Sequence, residues 1–260
     1  KFGQVYESND VEVEELIILD LFSGGKSLSK ALQNENVEII TLDFEKKYNP
    51  DICIDILDNN CIQEIEKKLN GRKVEYIWAS PPCEKWSFAC GVKGGNIYFE
   101  SIKEKRKMVD FKIRENFDVN SKYKILKNHE EIKREAINAM RIVDKAFAII
   151  NYFKPKHWCI ENPKDFMEIY INKNYKCITN FCTYCQYGFE YRKPTTIFSD
   201  MDLQLKSCKI GEPCHFNNFY CRGKNNKIRN TSSLRNYIER SEMPGKLIVE
   251  IFKKLKEEGI

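Results

Sequence analysis

A chain of 260 residues is long enough for one substantial core and a small appendage. Its 42% hydrophobic and 31% charged residues exclude a disordered segment, and no apolar run approaches the roughly 18–20 residues that cross a bilayer, which argues against a membrane partner. The formal charge of +5 is mild, so its distribution carries more information than its sum.

Taken in order, "EELIILDLF" reads as a short buried strand that ends in the turn "SGG", and "KSLSKALQNE" follows with helical spacing. "VEIITLDFE" is a second strand with Asp43 at its end, "DICIDIL" a third short apolar segment, and "NCIQEIEKKLN" an amphipathic helix. "KVEYIWAS" is strand four, stopped by Pro81 and Pro82, which remove backbone donors. The Lys- and Glu-rich stretch 92–128 reads as part loop, part exposed helix, leading into the long helix "EEIKREAINAMRIVDKAFAIINYF". "KHWCIEN" is strand five. "YKCITNFCTYCQYGFEYRKPTTIFSD" then reads as two adjacent strands around a turn at Gly188, and "MPGKLIVEIFKKLKEE" as a closing helix with Pro near its start. Strands alternating with helices predict an α/β fold, a Rossmann-like, mostly parallel, doubly wound sheet. The expected division is a catalytic domain over 1–200, a small basic recognition lobe over 201–242, and a last helix, 243–260, returning to the main domain.

Eleven cysteines, an odd number in a chain too long for a disulfide scaffold, point to a reducing, intracellular setting, cytoplasmic or nucleoid-associated. No basic-then-apolar leader opens the chain, which begins with Lys rather than Met. Residues 203–240 carry eight Lys or Arg against two Glu, a balance suited to a polyanion as well as to a solvated face. Cys182, Cys185, Cys208, Cys214, His215 and Cys221 cluster in sequence. The first two fall in a predicted strand, where alternate residues face opposite ways. A zinc site built from Cys208, Cys214, His215 and Cys221 is the weaker reading, and reduced core cysteines the default.

"GGKS" looks like the end of a phosphate-cradling loop, but that motif needs a glycine where Asp20 stands, and an aspartate would repel a triphosphate. The dinucleotide fingerprint fails as well, because Lys26 and Ser27 interrupt its glycines. In a doubly wound sheet, ligands bind beyond the carboxyl ends of the strands. There the "FSGG" turn reads equally as a structural turn or as one that lets backbone approach a ligand, with Asp43 placed to accept from ribose hydroxyls of a nucleoside-type cofactor. Cys83 in "SPPCEKWS" is launched from a strand end onto the same edge, and "CIENP" delivers Glu161 to it, as a helix cap or as a buried acid facing the cysteine.

The ordered segments "LDLFSGG", "TLDFEKKYNPDICIDI", "SPPCEKWSFA", "CIENP" and "YCQYGFEYRKPTTIFS" cover most of residues 16–200, and with them the chain resembles a cytosine-C5 DNA methyltransferase of the compact type seen in phages and bacteria. The resemblance implies S-adenosylmethionine as cofactor, held by Phe22, Ser23, Gly24, Gly25, Asp43, Phe44, Asp55, Ile56 and Pro81. It implies Cys83 as the nucleophile at cytosine C6, Glu161 as the acid on the base's N3 edge, and Arg192 as the cation near the pyrimidine O2. It further implies DNA contacts by Ser87, Arg222, Lys224, Lys227 and Arg229, a closing loop over Glu84–Asn96, and a monomer. Two departures stand out. The family usually has Gly where Lys26 stands, and its acid motif more often reads Glu-Asn-Val. Three rivals remain: the same chemistry on RNA, a silent DNA-binding relative, and an NTPase.

Overall fold

The computed structural model describes residues 15–87, 91–92, 95–105, 107–115, 128–189, 191–208 and 241–259. A seven-stranded sheet forms its centre. The strands are β1 (Leu16–Leu21), β2 (Val37–Asp43), β3 (Ile52–Cys53), β4 (Tyr76–Ala79), β9 (His157–Pro163), β10 (Ile178–Thr183) and β11 (Pro194–Ser199). Their spatial order is β10-β11-β9-β4-β1-β2-β3, parallel from β9 to β3, with β11 antiparallel to both of its neighbours. This is the α/β, Rossmann-like, mostly parallel fold expected from sequence.

Helices cover both faces, which is why β1 reads as a nearly unbroken apolar run rather than an alternating one. Ile17, Leu19 and Leu21 point to one face, with Ile77 and Ala79 of β4. They meet α2 (Cys61–Leu69), α3 (His129–Phe153) and α4 (Phe166–Asn174). Ile18, Tyr76, Trp78 and Cys159 point to the other face, where α1 (Ser27–Ala31) and α5 (Gly245–Glu257) lie. From α5, Leu247, Ile248, Ile251, Phe252 and Leu255 are all buried there, so the last helix packs on the main sheet. α1 is shorter than its sequence suggested, five residues, and Lys26 before it sits at φ +58.

The stretch after β4 differs from expectation. Instead of loop and exposed helix, the described residues between 91 and 113 form two small antiparallel pairs: β5 (Gly91–Val92) with β6 (Gly95–Asn96), and β7 (Phe99–Glu104) with β8 (Lys107–Ile113). The abundance of lysine and glutamate hid a period-two signal. Phe99 and Phe111 share one face of the hairpin. They pack with Trp86, whose ring lies 4.8 Å from that of Phe99 in a stacked arrangement, and with Phe166. Cys182 and Cys185 also separate. Cys182 ends in β10, whereas Cys185 lies in the 3-10 turn Tyr184–Tyr187, its sulfur 3.4 Å from that of Cys208. Gly188 closes that turn at φ +96.

Residues 201–208 stay on the sheet's edge: Leu203 N–H donates to Asn180 Oδ1, and Cys208 N–H to Thr183 Oγ1. The remainder of the expected lobe, with Arg222, Lys224, Lys227, Arg229, Cys214, His215 and Cys221, lies outside the described residues. Among the described residues, no helix is long and apolar enough to cross a membrane, and no cluster of three metal-binding side chains occurs.

Because Phe99 anchors Trp86 under the loop that bears Cys83, Phe99→Ala is expected to cost about 3–5 kcal/mol in denaturant unfolding and to red-shift tryptophan emission.

Candidate active site

The strand order places a switch point beside β1. The chain leaves β1 for β2 and β3 on one side, then returns to β4 on the other, so the connections diverge and open a crevice at the carboxyl ends. The turn after β1, the Pro-Pro loop after β4 and the end of β9 all reach this crevice. One cavity there is lined by Phe22, Ser23, Gly24, Gly25, Asp43, Phe44, Pro81, Cys83 and Glu161 from the sequence reading, with Asp20, Asn162, Lys193 and Ser241–Met243 beside them.

The turn after β1 is wound by three left-handed residues, Phe22, Gly24 and Lys26. Two of these carry side chains, and each costs on the order of 1–2 kcal/mol of local strain. Lys26 offsets part of that cost through Nζ, which donates to the Asn49 carbonyl at 2.7 Å. A glycine at this position would adopt the same backbone conformation without that strain. Asp43 braces the turn: Oδ2 accepts from Gly24 N–H and Oδ1 from Glu45 N–H, each at 2.9 Å. Its remaining lone pairs can still accept, since a carboxylate offers about four acceptor sites.

Asp20 is buried at the floor of the cavity. Burial, then the neighbouring charge of Asp43, push its carboxyl up to about 8, with Lys26 opposing. Ser23 Oγ is buried without a hydrogen-bond partner among the described residues. Two acidic side chains and an orphaned hydroxyl fit a ligand that is cationic and rich in hydroxyls. Asp55 and Ile56 are not brought to this lining: Asp55 Oδ1 accepts from Leu57 N–H, and Ile56 is in the core.

Cys83 and Glu161 share the cavity. A hydrogen bond from Asn162 Nδ2 to the Pro81 carbonyl, 2.9 Å, ties the end of β9 to the Pro-Pro loop. Trp86 and Ser87 N–H both bond to the Cys83 carbonyl at 3.1 and 2.9 Å, winding a tight turn under the sulfur. Lys85, in an ion pair with Glu135 on α3 at 2.8 Å, and Asn96, bonded to the Lys85 and Ser87 carbonyls, fasten the described part of the expected closing loop.

The cation in the cavity is Lys193, not Arg192. Arg192 donates to the Cys208 carbonyl at 2.9 Å, whereas Lys193 lies 7% exposed with Nζ 3.8 Å from Glu161 Oε1. Burial dominates the Cys83 thiol and pushes it up to about 11, with Lys193 pulling it down and Asp165, Glu161 and Glu84 raising it. Asp165, the cap of α4, is itself held well above the usual carboxylate range by burial. Sequence reasoning missed Lys193, Asp20 and Asn162. For Lys193 the available signal was alternation: two adjacent cations entering β11 must face opposite ways.

No family model matches the chain. It is 29% identical over 203 residues to a protein of Frog virus 3 (isolate Goorha) named as a probable DNA (cytosine-5)-methyltransferase, covering 76% of this chain and 77% of that one. Among solved structures, a DNA modification methyltransferase encoded within an E. coli prophage matches with a TM-score of 0.42 at 12% identity, over 71% of this chain and 46% of its own. The methyltransferase EhMeth of Entamoeba histolytica matches with a TM-score of 0.40 at 16% identity, over 75% and 57%. The chain thus spans about half the length of these two, and neither likeness carries the argument.

Thiolate supply sets the reactivity of Cys83. Alkylation at this residue, followed by peptide mass spectrometry, is expected to quicken about tenfold per pH unit from pH 8 towards 10. Lys193→Met removes a cation that lowers this thiol, so the rate at pH 8 falls several-fold.

Proposed function

From a chain whose ordered motifs and viral relative are those of the cytosine-C5 DNA methyltransferase family, we propose that the protein transfers a methyl group from S-adenosylmethionine to C5 of a cytosine extruded from DNA. The observation that carries this reading is the sharing of one cavity by a thiol, a buried carboxyl and a buried ammonium, opening beside the acid-lined turn after β1.

Phe22, Ser23, Asp20 and Asp43 would hold the cofactor, which supplies an electrophilic methyl group. The protein's own part is to make C5 nucleophilic. Cys83, as thiolate, adds to C6 and forms an S–C bond while the C5=C6 electron pair is released towards C5 and N3. Glu161 meets the N3 edge and supplies the proton that makes C6 electrophilic. Lys193 supports the thiolate, and its charge in a water-poor cavity counts for more than it would at the surface. After methylation a base takes the C5 proton, the S–C bond breaks and Cys83 is regenerated. Duplex DNA hides the target in its stack, so extrusion costs a few kcal/mol, met by contacts along the backbone.

The decisive experiment offers labelled S-adenosylmethionine with DNA and with tRNA. Label is expected on DNA cytosine C5, with Cys83→Ser abolishing transfer while retaining cofactor binding. Label on tRNA alone would move the substrate to RNA, and no label on either would remove the assignment. The raised carboxyl of Asp20 adds a second expectation. A cationic cofactor favours its ionised form, so binding at pH 7 should release about one proton, detectable by calorimetry in buffers of different ionisation enthalpy and lost in Asp20→Asn.

A further inference from the structure

The two carboxyl oxygens of Glu161 stand in different surroundings. Oε1 accepts a hydrogen bond from the Tyr184 hydroxyl at 2.7 Å and faces Lys193 Nζ at 3.8 Å. Oε2 has no hydrogen-bond partner among the described residues, although the side chain lines the cavity. Tyr184 is wholly buried and is not part of that lining, so it stands behind Glu161. Its own placement is fixed at three points. Its backbone N–H donates to the Lys193 carbonyl at 3.2 Å, its carbonyl accepts from Phe189 N–H, and the Lys193 ammonium sits 4.6 Å over its ring centre.

A neutral carboxyl group carries one O–H. If that proton sat on Oε1, it would face an ammonium, which can only donate, and the Tyr184 hydroxyl could accept it only by turning its own O–H away from Glu161 towards the Thr195 side chain, so the bond from Tyr184 to Oε1 would be lost. On Oε2 it faces the cavity. Burial holds the Tyr184 phenol well above its usual range, so it keeps its proton, the one that it donates to Oε1 here. The geometry points to Tyr184 as a positioning residue that commits Oε1 as an acceptor and so leaves Oε2 as the oxygen that carries the proton to the base.

This inference deepens the cytosine chemistry proposed above and rests on it. As the Cys83 sulfur bonds to C6, the O–H bond at Oε2 breaks, its proton passes to N3, and the electron pair stays on the carboxylate. Charge therefore appears on Glu161 at the moment of attack. Tyr184 and Lys193 are already aimed at the oxygen that shares it, with no reorganisation needed. Tyr184 touches neither base nor cofactor, and acts only through Glu161.

Tyr184→Phe keeps the ring under Lys193 and removes the hydroxyl. It is expected to lower kcat on DNA by about tenfold, while KM for DNA and the dissociation constant for S-adenosylmethionine stay within about twofold. The pairing is tested separately by thermal unfolding of the wild type, Tyr184→Phe, Glu161→Ala and the double variant. Tyr184→Phe should lower the midpoint in the wild-type background and shift it by less than about 1 °C once Glu161 is gone. An unchanged kcat, or equal midpoint shifts in both backgrounds, overturns the inference. Failure of the parent reading has a different signature, a wild type that labels no cytosine, and the thermal cycle then decides by itself whether Tyr184 is tied to Glu161.

Discussion

Parallel pairing of β4 with β9, in the register that sets Ala79 opposite Ile160, makes neighbours of two motifs about eighty residues apart in sequence. Everything chemical in the molecule follows from that register. Two residues past Ala79 the chain enters the Pro-Pro loop, one residue past Ile160 comes Glu161, and the bond from Asn162 to the Pro81 carbonyl locks the two strand ends at that offset. A slip of one residue would turn Glu161 to the opposite face of the sheet, because side chains alternate along a strand. The register is in turn held by apolar residues buried on both faces, Ile77 and Ile160 against α3 and Trp78 and Cys159 against α5, so the core and the site share one geometric determinant.

The electrostatics of the cavity work against ionisation of its own thiol. Burial raises the Cys83 thiol, and three carboxyl groups raise it further, while a single lysine opposes them. A resting thiol of this kind is protected from adventitious chemistry and becomes reactive only as the surroundings change. The same Lys193 lowers the thiol and stands 3.8 Å from the Glu161 carboxyl, so one ammonium acts on both groups. Tyr184 beneath it supplies a flat, electron-rich surface that holds the cation without neutralising it.

Much of this was legible in the residues. The strand-helix rhythm led to the sheet, and Pro81–Pro82 and the strand "CIEN" led to the two sides of the cavity. Three features were not legible, each for a physical reason. The hairpin of β7 and β8 escaped because its buried Phe99 and Phe111 are diluted by lysines and glutamates on the solvent face. Arg192 and Lys193 both precede β11, and which of two adjacent cations turns into the cavity depends on the path by which the chain enters that strand, which local composition does not reveal. Asp20 reads as one polar residue in an apolar strand. Its burial beside Asp43 emerges only when β1 and β2 lie side by side.

Residues 241–243 line the cavity beside the turn after β1, and α5 behind them fills one face of the sheet against Leu28 and Leu32. The pocket is therefore bounded by stretches more than two hundred residues apart: one wall is laid down by residues 20–25 and another by residues 241–243. A chain cut ahead of residue 241 keeps its thiol and its carboxyl but loses part of the chamber wall and the helix that backs it.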